Sequence, residues 1–546
     1  MEALNNMEVL NKKWPEDYFF RQRESVLAQW RTGKEVDLEE AIAYHKRMSA
    51  SKNAALKVLE AREKGISYFC PSSGTDTIEG HKELLLHLQN EGKVDLLTSY
   101  IDSLTRNCRF EAAEQALKKA EESHKAVLNG FPIVVHGVKG NREVMDALDL
   151  PVLLFGPTPD ARLTAEIGLA GGHTGYSAGP LISFWNYTKN MPVVDIIHNF
   201  QYINRLMGYY EEHGVPILYC VSGAMPAVSP PSLMIAPEII ELLIAAEQGV
   251  KHIQLNNWLQ GNIVQDLAYI LTLKKLATEY LRKFGYNDVE TTTYSVSPTG
   301  KFPEDREHVF ALIAYYTMIG LLGHVQVIGS RTIDEAHHIP TKEGTVLSFK
   351  RAQMMAGMLQ PTQEQNIRKK EVWAILDKVL GTKEYERVFA LIAPSLNIQD
   401  NEAVKMESYI MEKEVRAILD KVLELGAGDI VLGTKRAIEI GVLDQPYATT
   451  QLVNGKVMGV KDSEGAARFF DFGELPFPEE SLLKKIIRWL FSRFIGWLFP
   501  KWFPRNIKAY HKEKISRREK LLGKKVGYET IISDLMAISN GMLVKN

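Results

Sequence analysis

Nine short apolar runs alternate with longer stretches of helical period along much of this 546-residue chain. The runs are ISYFC (66–70), DLLTSYI (95–101), PIVVHG (132–137), PVLLFG (151–156), PLISF (180–184), PILYCV (216–221), HIQLNN (252–257), ETTTYSV (290–296) and HVQVIG (324–329). Between most of them lie amphipathic segments such as PEIIELLIAAEQGV (237–250) and VQDLAYILTLKKLATEYLRKFG (264–285). Strands alternating with helices build a parallel sheet with crossover helices. Two architectures satisfy that pattern, an open doubly wound sheet and a closed eight-stranded barrel. No GxGxxG follows the first run and no GxxxxGK[ST] occurs, so the open sheet lacks its phosphate-binding loop. The expectation is an α/β chain built on a TIM-type (β/α)8 barrel, with one of the nine runs surplus. Reactive groups in such a barrel sit at the C-terminal ends of its strands.

Around a barrel at 65–345 the texture changes. Residues 1–64, rich in Glu, Lys and Ala, read as an N-terminal helical extension. Residues 346–425 read as a helical region with an insertion. It holds a near-duplication, EVWAILDKVL (371–380) and EVRAILDKVL (414–423), taken as two similar packing helices, since a solenoid needs about three repeats. Residues 426–480 read as a small C-terminal α+β lobe, in which the NG at 454–455 separates two alternating runs as in a hairpin. Residues 506–546 read as C-terminal helices.

The segment 481–505, SLLKKIIRWLFSRFIGWLFPKWFPR, carries six Lys or Arg and no acid. Its basic and apolar residues segregate at helical spacing up to Pro500 and Pro504. Aromatic residues beside cations suit a membrane interface. The same stripe also suits a helix docked on this chain or on a partner subunit.

A net charge of −2 gives no global attraction to nucleic acid. Cys70, Cys108 and Cys220 form no CxxC pair, as expected in a reducing compartment. The N-terminal residues are polar, and no run of 18 uncharged apolar residues occurs, so the expected location is cytoplasmic, with peripheral membrane contact through 481–505 left open.

Few local motifs carry chemistry by themselves. AGGHTGYSAGP (170–180) reads as a glycine-rich loop. TPDAR (158–162) reads as a helix start, with Asp160 near the first turn and Arg162 available to it as an ion-pair partner. VIGSRTIDEAHHIPTKEG (327–344) follows the last strand and gathers Arg331, Asp334, Glu335, His337, His338, Lys342 and Glu343. That is where barrel ligands are held. His337 and His338 are neighbours that do not share a helix face, and no third ligand is evident, so no metal site is expected.

These stretches do carry a resemblance. GKEVDLEEAIAYHK (33–46), NGFPIVVHGVKGNREV (129–144), TPDARLTAEIGLAGG (158–172), LIAAEQGVKHI (243–253), YLRKFGYNDVETTT (280–293), IPTKEG (339–344), LDKVLELGAGDIVLGTKRAIEIGVLDQPY (419–447) and FFDFGELPF (469–477) resemble the epsilon, barrel-forming subunit of glutamate mutase, also called methylaspartate mutase. The likeness covers nearly everything outside about 371–413 and 481–505. It implies an isomerase that performs a radical 1,2-rearrangement with adenosylcobalamin. It also implies a hetero-oligomer in which a small cobalamin-binding subunit carries a DxHxxG motif. No DxHxxG occurs in this chain, so the lower cobalt ligand is expected from that partner.

The family holds the adenosyl ribose with a lysine and a glutamate after the last strand; the matching positions are Arg331 and Glu335. It grips two substrate carboxylates with three arginines, which fall here at Ser72, Arg106 and Phe155. Its glutamate near the substrate ammonium falls at Ser177, within one residue, and its two tyrosines at Ser183 and Tyr187. One arginine of three remains. The expectation is a carboxylate substrate other than glutamate, with the catalytic residues unassigned. A true glutamate mutase with a rebuilt clamp and a non-catalytic barrel that scaffolds a cobalamin protein at a membrane stand as alternatives.

Overall fold

In a computed structural model, the structure describes residues 9–188, 191–223, 231–297, 303–335, 337, 340–359 and 401–443, with the backbone of 450–453 and 456–459. Eight parallel strands form the central sheet: β1 (Tyr68–Pro71), β2 (Leu97–Tyr100), β3 (Val152–Phe155), β4 (Gly175–Ser177), β5 (Leu218–Val221), β6 (His252–Trp258), β7 (Glu290–Val296) and β8 (Val327–Ser330). Their order is β1-β8-β7-β6-β5-β4-β3-β2. Long helices such as Val193–Glu212, Pro231–Glu247 and Ile263–Lys283 return the chain between strands, as in a TIM-type barrel.

The seam between β1 and β2 has a local cause. Pro71 has no backbone N–H, so it cannot donate to a ladder with β2. Side chains and a few backbone groups bridge the gap instead. The Thr98 hydroxyl donates to the Pro71 carbonyl at 2.7 Å and accepts from the Ser73 N–H at 3.1 Å. The Ser73 hydroxyl donates to the Thr98 carbonyl at 2.8 Å, and the Tyr100 N–H reaches the Ser73 carbonyl at 2.8 Å.

Two of the nine apolar runs are not strands. PIVVHG begins the helix Ile133–Asp146, with Gly137 at φ 67° where the helix kinks. PLISF lies in the helical turns Pro180–Ile182 and Ser183–Tyr187. The missing strand is β4, inside the glycine-rich stretch read as a loop. Only three residues long, it has too little sequence to show a period. Its Gly175 is closely packed: a Cβ there would lie 3.0 Å from the Leu153 side chain and 3.1 Å from the Leu218 carbonyl.

The helix Ala54–Lys64 closes the N-terminal end of the barrel. Its Ala54, Ala55, Val58 and Ala61 form one buried cluster with Tyr68, Leu96, Leu153, Leu218 and Val327, which stand at or near the strand beginnings. Alanines on that face let the helix approach closely. The Asn53 side chain caps the helix at the Leu56 N–H and reaches the Pro216 carbonyl at 2.9 Å, fixing it to the barrel rim. The interior is therefore plugged at this end, and the strand C-termini carry the site.

Arg162 and Asp160 pair at 2.7 Å where the helix Arg162–Ala170 begins, as the sequence suggested. Farther along, Glu402–Leu425 buries Met411, Val415, Leu419 and Val422, and Ile430–Glu439 buries Ile430, Val431, Ala437 and Ile438, all in the same core as the barrel helices. Thr450–Val453 (β9) and Lys456–Gly459 (β10) pair antiparallel, and the NG at 454–455 lies outside the described residues. The segments 371–380, 481–505 and 506–546, and His338, lie outside the described residues. Among the described residues no helix is long and apolar enough to cross a membrane.

Candidate active site

Inward-facing side chains of all eight strands, with Arg331 just past β8, surround a small cavity. Strand alternation decides who faces it: Cys70 and Ser72, Thr98 and Tyr100, Leu153 and Phe155, Gln254 with Asn256 and Trp258, Tyr294 and Val296. Ser177 and Cys220, register partners on β4 and β5, complete the wall with Val327 and Arg331.

Tyr100 and Phe155 are register partners on β2 and β3, and their rings stack with centroids 4.0 Å apart and planes 18° apart. The Tyr100 hydroxyl is 2.9 Å from the Ser72 hydroxyl across the seam. Burial pushes the Tyr100 phenol up to about 12, while its Ser72 partner and the nearby Arg331 charge pull the other way. It is a neutral phenol at pH 7.

Of the sequence-nominated residues, Ser72, Phe155, Ser177 and Arg331 share this one cavity wall. Arg106 and Tyr187 meet each other, the guanidinium 5.1 Å from the ring centroid. Asp102 organises this arginine's short helix by accepting from the Leu104 and Thr105 N–H groups at 2.8 and 3.0 Å. The Arg106 guanidinium also donates to the Ile101 carbonyl at 3.2 Å, and it forms no ion pair among the described residues. Ser183 is fully buried in the turn before Tyr187, its hydroxyl unpartnered among the described residues, and it does not line the cavity.

Arg331 and Glu335 form an ion pair at 2.7 Å, both about one-quarter exposed. The loop that holds them is shaped by Asp334, whose carboxylate accepts from the Thr341 N–H at 2.8 Å and the Thr341 hydroxyl at 2.6 Å. The Arg331 Nε is buried with no partner among the described residues. Tyr294 leans over β8 against Gly329, where a Cβ would lie 1.8 Å from the Tyr294 hydroxyl.

Residue-by-residue reading of the sequence missed the supports beneath the mouth. Glu241 accepts from the Leu181, Ser222 and Gly223 N–H groups at 2.8, 3.1 and 2.8 Å, tying the loops after β4 and β5 together. Burial pushes its carboxyl up to about 8 against the pull of those N–H groups. Gly179 must lack a side chain, since a Cβ would lie 2.3 Å from both Glu241 oxygens. Glu238, one turn earlier, accepts from the Asn256 N–H at 2.9 Å and the Tyr269 hydroxyl at 3.3 Å. Two acids in an otherwise apolar stretch of helix, MIAPEIIELLIAA, were the available signal.

The chain matches the family model described as methylaspartate mutase E chain over residues 48–388 and 381–488. It is 35% identical over 539 residues to a glutamate mutase epsilon subunit of Desulfitobacterium hafniense, covering 98% of this chain and 99% of that one. A glutamate mutase epsilon subunit of Yersinia enterocolitica is 36% identical over 550 residues, at 98% and 99% coverage. One from Haloarcula marismortui is 31% identical over 535 residues, at 98% and 96%. Matched by that family along most of its length, the chain belongs to the methylaspartate mutase E chain family of isomerases.

Proposed function

We propose that this chain is the substrate-holding barrel subunit of an adenosylcobalamin-dependent carbon-skeleton mutase whose substrate carries one carboxylate on a body more apolar than glutamate. The observation that carries the reading is the Ser72–Tyr100–Phe155 cluster in the cavity wall. The family resemblance puts arginines at Ser72 and Phe155, and the chain puts a hydroxyl and a phenyl ring there. The one charged residue among the described cavity lining, Arg331, is engaged by Glu335. A second desolvated carboxylate would have no counter-charge, at a cost of several kcal/mol.

Each side chain then has a task. Arg106, held at a carbonyl and stacked on Tyr187, offers its remaining donors to the single carboxylate. The Tyr100–Phe155 stack covers the apolar body and keeps water from it. Arg331 and Glu335 supply donors and an acceptor to a vicinal diol such as a ribose, and the Nε of Arg331, unpartnered among the described residues, marks donor capacity they do not use. That donor set fits the adenosyl ribose. Adenosylcobalamin, when bound, supplies the hydrogen-abstracting radical. The chain has no DxHxxG, so a small cobalamin-binding partner would provide the cobalt's lower ligand in a hetero-oligomer.

The test is reconstitution with adenosylcobalamin and the DxHxxG partner, assayed on glutamate and 3-methylaspartate beside a panel of monocarboxylates. The expected result is turnover of a monocarboxylate and none of the two dicarboxylates. Efficient interconversion of glutamate and 3-methylaspartate overturns the reading.

A further inference from the structure

Along β6 the side chains at Gln254, Asn256 and Trp258 all face the cavity, being two residues apart on one strand. They are 1%, 2% and 5% exposed. Each presents a buried polar atom that no group in the described residues satisfies: the Gln254 Nε2, the Asn256 Oδ1 and the Trp258 Nε1. Buried polar atoms in native proteins find partners. Three unmet atoms on successive inward positions of one strand form a prepared hydrogen-bonding face. The Asn256 N–H, bonded to Glu238 at 2.9 Å, pins the strand so that the face holds its place.

The location gives the face a role. Arg106 follows β2, and in the order β2-β3-β4-β5-β6 the strand β6 lies four steps away in an eight-stranded barrel, directly across the opening. Arg106 stands outside the described cavity lining, so a ligand with its carboxylate there would reach across the opening and extend its other end toward β6. The chemistry of the face limits what that end can be. It offers two N–H donors and one carbonyl acceptor and no charge. A second carboxylate there would find two N–H donors but would also face the carbonyl acceptor, with no cation to offset its desolvation. A methyl group would leave all three atoms unsatisfied.

We infer that Gln254, Asn256 and Trp258 form the subsite for the end of the substrate opposite its carboxylate, and that this end is a neutral group both accepting and donating hydrogen bonds: a carboxamide or a hydroxyl. The inference rests on the proposed function, which assigns the carboxylate to Arg106.

The experiment is calorimetric titration of the full-length chain with monocarboxylic acids of four to six carbons whose far end is a carboxamide, a hydroxyl, a methyl or a second carboxylate. The carboxamide or hydroxyl acids are expected to bind about 10-fold more tightly than the methyl acids. Which of the two leads identifies the group. Gln254→Met and Trp258→Phe keep shape and remove one N–H each. Each should reduce that preference about 3–10-fold, with folding checked by circular dichroism. Arg106→Gln should weaken every acid alike. If Arg106→Gln weakens all of them but neither β6 variant alters the preference, this subsite is wrong and the proposed function stands. If Arg106→Gln changes nothing, or the second carboxylate binds tightest, the proposed function fails as well. Absence of any preference among the four ends, or of binding by all of them, also overturns the subsite.

Discussion

Phe155 lies flat on Tyr100, ring centroids 4.0 Å apart, and the two residues are direct register partners on neighbouring strands. Such a stack is worth about 0.5–1.5 kcal/mol beyond the area it buries. It also fixes the chemistry of this quarter of the barrel mouth. Tyr100 is covered by a ring on one side and hydrogen-bonded to Ser72 on its hydroxyl, so neither β2 nor β3 presents a cation here.

Installing the missing charges tests that chemistry directly. In a Ser72→Arg/Phe155→Arg variant, two guanidinium groups face the cavity, and glutamate gains partners for its second carboxylate. Charge-assisted hydrogen bonds contribute about 1.5–3 kcal/mol each, so glutamate affinity should rise about 10- to 100-fold for one productive arginine. Titration of glutamate into wild type and variant measures the change. Equal binding to both would show that the wild-type wall already accommodates a dicarboxylate.

Gly329 is a second place where one atom decides the shape of the site. A Cβ there meets the Tyr294 hydroxyl at 1.8 Å and its Cζ at 2.5 Å. Gly329→Ala must push the phenol off β8, beside Arg331, and overpacking of this kind costs about 1–3 kcal/mol. A lower Tm is expected, with a smaller drop when the change is made in a Tyr294→Phe background. The same loss in both backgrounds would place the cost elsewhere.

The barrel was legible because its strands are buried on both faces and read as unbroken apolar runs, bounded by helices of clear period. Its errors have one source. A run such as PIVVHG is equally apolar in a buried strand and in a buried helix start, and periodicity cannot separate them over six residues. Strand β4 escaped because Gly175 and its neighbours carry a turn composition for a packing reason, the close approach of Leu153 and Leu218. At the candidate site, Arg331, Glu335 and Arg106 were visible as charged residues beside strand ends. Gln254, Asn256 and Trp258 were not, since nothing in HIQLNNW announces that alternate residues face a cavity until the strand order is known. Glu241 was hidden for the same reason: its three backbone partners come from loops 18 to 60 residues away.

Buried histidines make acid the weak side of this fold. Burial lowers His45, His173 and His198 to about 4 and His81 to about 3. A histidine neutral in the folded state and protonated when unfolded adds stability above its ordinary value of 6.5, and that contribution is lost as pH falls toward 4. Glu241 and Asp95, raised to about 8 and about 6, act in the opposite sense, losing their contribution as pH rises through those values. A variant isolates one group from this sum. His198, 3.1 Å from the Tyr18 hydroxyl and near the Arg162 charge, is suited to His198→Asn. The stability deficit of the variant should be largest at pH 8 and shrink toward pH 4.5, with about one proton fewer taken up on unfolding. A deficit independent of pH would mean that His198 titrates normally in the folded chain.

Arg331 and Glu335 provide the sharpest separation of cofactor binding from folding. Their ion pair is about one-quarter exposed on each side, and pairs of that kind contribute about 0–1 kcal/mol to stability. Arg331→Ala and Glu335→Ala should therefore change Tm by a few degrees at most. Their effect on the corrinoid should depend on its upper ligand. If the pair holds the adenosyl ribose, each substitution removes hydrogen bonds to a charged group and weakens adenosylcobalamin about 10- to 100-fold in the assembled complex. Methylcobalamin has no ribose at that position, so its affinity should stay as it was. Parallel loss of both corrinoids would assign the pair to the interface with the partner subunit, and unchanged binding of both would leave Arg331 and Glu335 a surface ion pair.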